Sequence, residues 1–368
     1  MNKDIFLFYP YIPEQSIEEV VDTLHTRWIG QGPKVDLFEQ VWKEKISSPH
    51  EALAVGSGTD ALHLAYILAG VGPGDEVVCP VFTCTATTMP LLYQGAKPVF
   101  ADVKAGELNI DPEDVKRKIT AKTKAIVCVD YGGMPCDLDE LQAIADEHKI
   151  PLIEDACQAH GATYKGRLIG SIADFTTFSF QAIKIVTTGD GGMLTIKNPD
   201  LLEKARRIRW FGIDRKAKME DRWKNDITEI GYKYQMTDIS AAMGLGAMKV
   251  FPETLAAYRR NWEQYRDGLK GCRGITFLDE PPDRRSSCWL VTILVEDRED
   301  AIARLAARNT QANQTHYRND IYTIFGGRVK DCPNMDQIED KYLILPNHLQ
   351  LTNEDIYNTV HTITKYWA

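Results

Sequence analysis

The chain has 368 residues, of which 44% are hydrophobic and 26% charged, and its formal net charge is −9. This length and core content predict a large and a smaller globular domain, while the negative charge argues against a protein that binds nucleic acid or an anionic membrane. The eight cysteines include no CxxC pair, so we expect buried free thiols of a reducing cytoplasm, with neither a zinc site nor a disulfide framework. Residues 1–13 hold too short an apolar run for a signal peptide, and the uncharged stretch 77–96 is too rich in threonine and proline for a membrane helix.

Two amphipathic helices are predicted first, at 14–26 and 35–46, on either side of the loop 27–33. Strand and helix patterns then alternate. Strands are predicted at 52–55, 76–79, 98–102, 125–131, 152–155, 175–180 and 193–196, and helices near 58–69, 83–94, 111–118 and 137–148. This alternation predicts a mostly parallel sheet with helices on both faces, and such sheets bind ligands at the carboxyl ends of their strands.

The run 193–196 follows the strand 175–180 after only about a dozen residues, too few for a helical crossover, so we expect the two to be antiparallel. Further helices are predicted at 200–209, 237–249 and 253–268. Beyond residue 272 the pattern changes to isolated strands (289–295, 342–345) and helices (298–308, 353–364). We therefore predict a large domain at 1–250 and a small domain at 251–368.

Lys184 lies in the short link between the predicted strands 175–180 and 193–196, and its neighbours in 182–186 are apolar. A poorly solvated lysine has a lowered pKa, and its neutral amine can attack a carbonyl group. A snorkelling lysine on a turn is the alternative interpretation of this segment alone.

A glycine-rich turn, 56–59, joins a predicted strand to a helix. Free N–H groups, the helix dipole and the hydroxyls of Ser57 and Thr59 are suited to bind a phosphate, although a simple capping turn is an equal alternative. The turn matches neither GxGxxG nor a Walker loop, which argues against a dinucleotide site or a P-loop.

Asp155 ends the strand 152–155, where a carboxylate can hold a protonated ring nitrogen or, alternatively, cap a helix. Ser179 adds a hydroxyl near the same strand end. A phosphate site, a carboxylate for a ring nitrogen and a Schiff-base lysine are what pyridoxal 5'-phosphate (PLP) requires. The sequence therefore predicts a PLP site and no metal site.

Four segments resemble the DegT/StrS-type sugar aminotransferases, a branch of the fold-type-I PLP enzymes. They are SGTDALHLA (57–65), PLIEDACQAHGA (151–162), SFQAIKIVTTGDGG (179–192) and GYKYQMTDISAAMGLGAM (231–248). The resemblance covers nearly the whole chain. It implies an α/β fold with a mixed seven-stranded sheet between helices, a smaller C-terminal α+β domain, and a homodimer with active sites at the subunit interface.

By this resemblance, Lys184 is the Schiff-base lysine, Asp155 the partner of the pyridine nitrogen and Gln158 the neighbour of the ring hydroxyl. The residues that correspond to phosphate contacts are Gly58, Thr59 and Ser179. Members that dehydrate their substrate carry His in place of the lysine, so Lys184 favours transamination.

Three positions depart from the family pattern. Gln181 stands where many members have His. Cys84 stands where many have an aromatic ring that stacks on the cofactor, and a thiol gives less contact area. Lys233 replaces an Asn that reaches the partner subunit's phosphate, a contact that a lysine can also make by charge.

Several further residues are candidates for substrate binding. The loop from Trp28 to Gln31 corresponds to the family's substrate loop, and Arg215 belongs to an arginine-rich segment that can bind a nucleotide diphosphate. A solvated helix face is the alternative for Arg206 and Arg207. Small-domain candidates for the sugar pocket are His316, Tyr317, Arg318 and His348, although a lone histidine is more often structural.

We expect a nucleotide-linked keto-sugar as substrate, with a 4-keto-6-deoxy sugar as the best single guess. Glutamate is the expected amino donor, and amino-sugar biosynthesis for a polysaccharide or O-antigen is the expected setting. The alternatives are an aminotransferase for a small phosphorylated ketone and a non-catalytic PLP-binding regulator of the same fold.

Overall fold

The computed structural model describes residues 4–215, 217, 218, 221, 224 and 226–367. Its strands are β1 (Glu51–Val55), β2 (Glu76–Pro80), β3 (Phe82–Thr83), β4 (Lys97–Ala101), β5 (Thr123–Val129), β6 (Leu152–Asp155), β7 (Thr163–Tyr164), β8 (Arg167–Leu168), β9 (Phe175–Ser179), β10 (Gly192–Ile196), β11 (Ile275–Phe277), β12 (Arg284–Arg285), β13 (Val291–Val295), β14 (Tyr317–Arg318) and β15 (Tyr342–Leu345).

The described helices agree with most of the predicted ones. They are α1 (Glu14–Leu24), α2 (Pro33–Trp42), α3 (Gly58–Leu68), α4 (Thr85–Tyr93), α5 (Pro112–Lys118), α6 (Leu138–His148), α7 (Leu202–Arg209), α8 (Asp238–Lys249), α9 (Phe251–Leu269), α10 (Arg298–Ala306), α11 (Pro333–Ile338) and α12 (Asn353–Trp367). Single turns of other helix types lie at Lys43–Ser47, Tyr131–Gly133, Pro199–Leu201, Asn319–Ile321 and Thr323–Phe325. None of these helices is long and apolar enough to cross a membrane.

The central sheet has seven strands in the order β1-β10-β9-β6-β5-β2-β4. Strand β10 is antiparallel to both of its neighbours, and the pairs from β9 to β4 are parallel. The predicted mixed seven-stranded sheet and the reversed direction of its last strand are therefore confirmed. Because the link from β9 to β10 is short, the chain reverses at the carboxyl end of β9, on the same side of the sheet as Asp155 at the end of β6.

Burial explains why the strands read as continuous apolar or Thr-rich runs. Every residue of β6 and β9 is buried, so helices and loops cover both faces of the central sheet. Strands buried on both sides do not alternate between polar and apolar residues.

Small three-stranded sheets accompany the central one. The order β11-β13-β15 is antiparallel and lies in the C-terminal part of the chain. The sequence missed β11 and α11. It also placed the start of β13 too early, at 289, because Cys288 has a left-handed φ of 57° and the N–H of Leu290 donates to the Gly132 carbonyl.

Two clusters of buried apolar side chains form the core, a large one around the central sheet and a smaller one that contains β13 and α12 residues. Helix α9 joins them. Its first half contributes Phe251, Leu255 and Tyr258 to the large cluster, and its second half contributes Trp262 and Tyr265 to the small one. The predicted domain boundary near residue 250 directly precedes this shared helix and stays a prediction.

Candidate active site

Lys184 lies in the link between β9 and β10, and its side chain is half-buried. Burial lowers the pKa of its ammonium group, while nearby Cys157, Cys84 and Asp155 act in the opposite direction. No carboxylate of the described residues forms an ion pair with Lys184. A cation without a paired anion in an apolar setting loses its proton more readily than a solvated lysine.

The ring of Trp289 lies against the amine of Lys184, with the Nζ atom 3.6 Å from the ring centroid. The indole N–H of Trp289 also donates to the Ile183 carbonyl at 2.9 Å. Trp289 is not among the predicted site residues. It stands more than a hundred residues from the lysine, and nothing in the local pattern distinguishes it from an apolar strand residue.

Asp155 ends β6, and only 4% of its surface is exposed. Its Oδ2 accepts from the Thr87 hydroxyl at 2.7 Å, and its Oδ1 accepts from the Cys157 N–H at 3.2 Å. Residues 156–162 form turns, so Asp155 does not cap a helix. The two bonds fix the carboxylate at the carboxyl end of the sheet, where its charge acts on Lys184.

The turn into α3 shows both features that the sequence left open. The Ser57 hydroxyl caps the helix by accepting from the Asp60 N–H at 3.1 Å. The N–H groups of Gly58 and Thr59 precede the first intrahelical bond, and they remain suited to an external anion. A side chain on Gly58 would collide with Ser179, because its Cβ would lie 2.8 Å from the Ser179 Cβ. Only a bare backbone can therefore bring the start of α3 against the end of β9.

Gln158 and His316 face each other, with their Nε2 atoms 3.3 Å apart. The Gln158 Oε1 accepts from the Gly132 N–H at 2.8 Å, which orients the amide. Burial, with a smaller contribution from the charge of Lys184, lowers the pKa of His316 to about 3. His316 is therefore neutral near pH 7 and can accept a hydrogen bond from the Gln158 amide.

Cys84 lies directly before α4 and is half-buried. Burial raises the pKa of its thiol, and the charges of Asp155 and Lys184 also act on it. The structure thus brings Cys84 into the same site as both charged groups.

The proposed substrate loop contacts Arg215, whose Nη1 donates to the Gln31 Oε1 at 2.8 Å. Both residues and Trp28 line a cavity of about 750 Å³. Arg206 and Arg207 line this cavity as well, although Glu203 and Glu229 pair with them. The loop itself is held by Asp238, which accepts from the Gly32 N–H at 2.7 Å.

Four other candidates remain. Arg318 is 3% exposed, and its guanidinium group is bound by Asp320, Asp336 and Glu339, which indicates a structural role. Tyr317 is exposed and pairs with Thr83.

His348 is buried beside the N-terminal segment, with its Nε2 3.0 Å from the Phe6 carbonyl oxygen. Lys233 is exposed and forms a backbone bridge with Trp210.

The fold defines the class of protein, since it is that of the fold-type-I aminotransferases. A Streptococcus pneumoniae protein described as a sugar aminotransferase, solved in its PLP form, superposes with a TM-score of 0.92. The two sequences are 30% identical, and the alignment covers 99% of this chain and 98% of that one.

The chain belongs to the DegT/DnrJ/EryC1/StrS aminotransferase family, whose sequence profile matches residues 10–364, and it is a PLP-dependent aminotransferase. It is similar to UDP-4-amino-4-deoxy-L-arabinose–oxoglutarate aminotransferase of Shewanella sediminis, with 34% identity over 99% of this chain and 98% of the relative. It is also similar to GDP-perosamine synthase of Escherichia coli O157:H7, with 30% identity over 100% of this chain and 99% of the relative.

The residues at the sheet edge fit the family's cofactor chemically. The start of α3 offers backbone N–H groups to a phosphate, Asp155 offers a fixed carboxylate to a ring nitrogen, and Lys184 offers an amine whose pKa is lowered by burial.

Proposed function

We propose that the protein transfers the amino group of glutamate to a nucleotide-linked 4-keto-6-deoxy sugar. The observation that carries this proposal is the desolvated amine of Lys184, placed within electrostatic reach of the fixed Asp155 carboxylate. The relatives support the substrate class, since one is named for a UDP-linked amino-sugar and oxoglutarate and the other for GDP-perosamine.

Asp155, Gln158 and Lys184 would hold the ring of PLP, and Ser57, Gly58, Thr59 and Ser179 its phosphate. When bound, the cofactor supplies an electron sink for the carbanion that forms at the α-carbon of the amino donor. The Asp155 carboxylate would keep the ring nitrogen protonated, because a neighbouring anion stabilises the cationic form.

Lys184 would move a proton from the α-carbon of glutamate in one half-reaction and to the sugar carbon in the other. A positioned acid–base group of this kind contributes about 10²–10⁴-fold to the rate. The lowered pKa helps, because a larger fraction of the amine is neutral and ready to accept the proton.

The cavity beside Trp28, Gln31 and Arg215 has room for a nucleotide, although neither Lys184 nor Asp155 lines it. Its volume of about 750 Å³ falls within the range of about 300–1,000 Å³ typical of small-molecule sites. Arg215 would bind a phosphate group there, and His316 with Tyr317 would face the sugar.

We place the protein in the cytoplasm as a homodimer. All eight cysteines are free thiols, as suits a reducing compartment. The exposed Lys233 would supply charge to the phosphate in the partner subunit.

The test is a screen of UDP-, GDP- and dTDP-linked 4-keto-6-deoxy sugars with ¹⁵N-glutamate, with formation of the ¹⁵N-amino-sugar followed by mass spectrometry. We expect one nucleotide-sugar to be aminated, with stoichiometric release of 2-oxoglutarate. Amination of a small phosphorylated ketone alone would contradict the substrate proposal. Cofactor binding without turnover of any ketone would instead favour a regulator.

A further inference from the structure

Trp289 lies against the amine of Lys184 although it belongs to a distant part of the chain. It lies two residues before β13, and only 2% of its surface is exposed. The Lys184 Nζ lies 3.6 Å from its ring centroid, and the indole N–H donates to the carbonyl of Ile183. One side chain thus contacts both the end of the lysine side chain and the backbone that carries it.

Besides the hydrogen bond to Ile183, two further contacts hold Trp289 and its backbone in place. The ring of Phe8 stacks on it, with centroids 5.7 Å apart and an interplanar angle of 18°. Phe8 is itself placed by its neighbour Leu7, whose N–H donates to Gln311 at 3.1 Å. The backbone beside Trp289 is fixed as well, because the Leu290 N–H donates to the Gly132 carbonyl at 3.2 Å.

An indole face attracts an ammonium group, and the attraction grows when water is excluded. The described titratable groups that act on Lys184 or respond to its charge are Asp155, Cys84, Cys157, His160 and His316. None of them forms an ion pair with the Nζ atom. The ring is therefore the contact that opposes the desolvation of the charged lysine most directly.

We propose that Trp289 is a positioning residue for Lys184: it holds the amine beside the sheet edge whenever the amine is not joined to the cofactor, and it preserves part of its positive charge. This inference rests on the proposed function, in which the lysine is alternately bound and free. A free amine that accepts and then returns a proton must be able to exist both as the neutral amine and as the ammonium. Burial disfavours the ammonium, and contact with the indole ring favours it.

The test measures the proton affinity of Lys184 in the full-length protein after removal of the cofactor. Acetic anhydride labels neutral amines, and peptide mass spectrometry across a pH series gives the pKa of Lys184, with Lys197 as an exposed internal reference. Trp289→Leu keeps an apolar side chain but loses the aromatic face, so we expect the pKa of Lys184 to fall by about one pH unit.

Trp289→Phe keeps a weaker aromatic face and loses the indole N–H, so we expect a smaller fall. Phe8→Leu is the matched control, because it alters the stacking partner and leaves the contact between indole and amine, and we expect no shift there. An unchanged or raised pKa in a folded Trp289→Leu variant would overturn the proposal. If that variant does not fold, an unchanged pKa in Trp289→Phe would overturn it.

The cofactor-loaded enzyme gives a second readout. We expect Trp289→Phe to lower kcat while leaving the KM for the keto-sugar unchanged, since the indole acts through the lysine and not on the sugar. The labelling needs neither cofactor nor sugar, so its result stands even if the substrate proposal fails.

Discussion

Lys184 and Arg318 are two cations that the fold removes from water in opposite ways. Lys184 has an aromatic ring and apolar neighbours but no paired carboxylate among the described residues, and burial lowers its pKa. Arg318 is more deeply buried, yet Asp320, Asp336 and Glu339 all bind it, and these bonds raise its pKa.

The two sites differ in how the fold offsets the free-energy cost of removing a cation from water. Around Arg318, charge pairing and two hydrogen bonds to Asp320, at 2.6 and 2.8 Å, offset that cost. Around Lys184 no such ion pair forms among the described residues, and burial lowers the pKa of the amine. The pairing around Arg318 indicates a structural role, and the unpaired amine of Lys184 is suited to the catalytic role that we propose for it.

Removal of the lysine should have the largest effect on activity. We expect Lys184→Met to lower amination by at least about 10²–10⁴-fold, because the proton-transferring amine is lost. Its free energy of unfolding should not fall, because an apolar side chain replaces a poorly solvated charge. Amine formation and urea unfolding measure the two effects, and Lys197→Met, at an exposed lysine, is the control. Undiminished turnover in Lys184→Met would refute the catalytic role.

Removal of the arginine should have the opposite effect. We expect Arg318→Met to reduce the free energy of unfolding by about 3–5 kcal/mol, because the fully buried Asp320 loses its partner. Urea unfolding followed by tryptophan fluorescence gives the difference. Arg328→Met is the matched control, since Arg328 pairs with the same Asp336 and Glu339 but is half-exposed. A loss in Arg318→Met no larger than in the control would contradict a structural role.

Acid should separate the two regions further. His160 packs against Trp42 and Phe178 and accepts a hydrogen bond from the N–H of Val186, in the link between β9 and β10. Burial lowers the pKa of His160 to about 3. The unfolded chain binds this proton near pH 6.5, so its contribution to stability is complete above pH 6.5 and is lost as the pH falls.

By pH 4 the loss due to His160 should reach about 3 kcal/mol. The pKa of Asp336 lies below 3.8, so the carboxylate around Arg318 should still be charged at this pH. Unfolding in urea between pH 7 and pH 4 tests this, and His160→Gln should show a shallower dependence on pH. An equally steep dependence in that variant would assign the loss to other groups.

The smallest effect is expected at the rim of the arginine cluster. Asp336 is 44% exposed and shares its charge with Arg328. We expect Asp336→Ala to cost no more than about 1 kcal/mol, because exposed ion pairs contribute little. Thermal unfolding at low and high salt measures this, and salt should shrink the difference. A larger, salt-insensitive loss would mean that the pair is effectively buried.

The sheet, and the grouping of polar residues at the carboxyl ends of its strands, could be predicted from the sequence for a physical reason. Buried strands read as apolar runs, and parallel strands bring their carboxyl ends to one edge. Asp155, Ser179 and Lys184 could therefore be placed together from local patterns alone. The short link before β10 gave the direction of that strand as well.

The rest of the site depends on contacts that no local pattern encodes. Trp289 reaches the lysine from a distant part of the chain, and Phe8, near the N-terminus, stacks on Trp289. Arg318 was predicted to line the sugar pocket because its binding partners could not be foreseen. Two of them, Asp336 and Glu339, lie in and beside helix α11, which was not predicted. His316, only two residues from Arg318, does reach the site, so proximity in sequence could not distinguish the two.

Because helix α9 belongs to both apolar clusters, the chain cannot be divided at residue 250 into two stable fragments. A fragment ending at residue 250 would lack Phe251, Leu255 and Tyr258, and would expose the apolar surface that they cover. A fragment starting there would carry the same three side chains without their partners. Neither half should be expressible as a well-behaved independent piece, and the unfolding of the whole chain should be a single cooperative event.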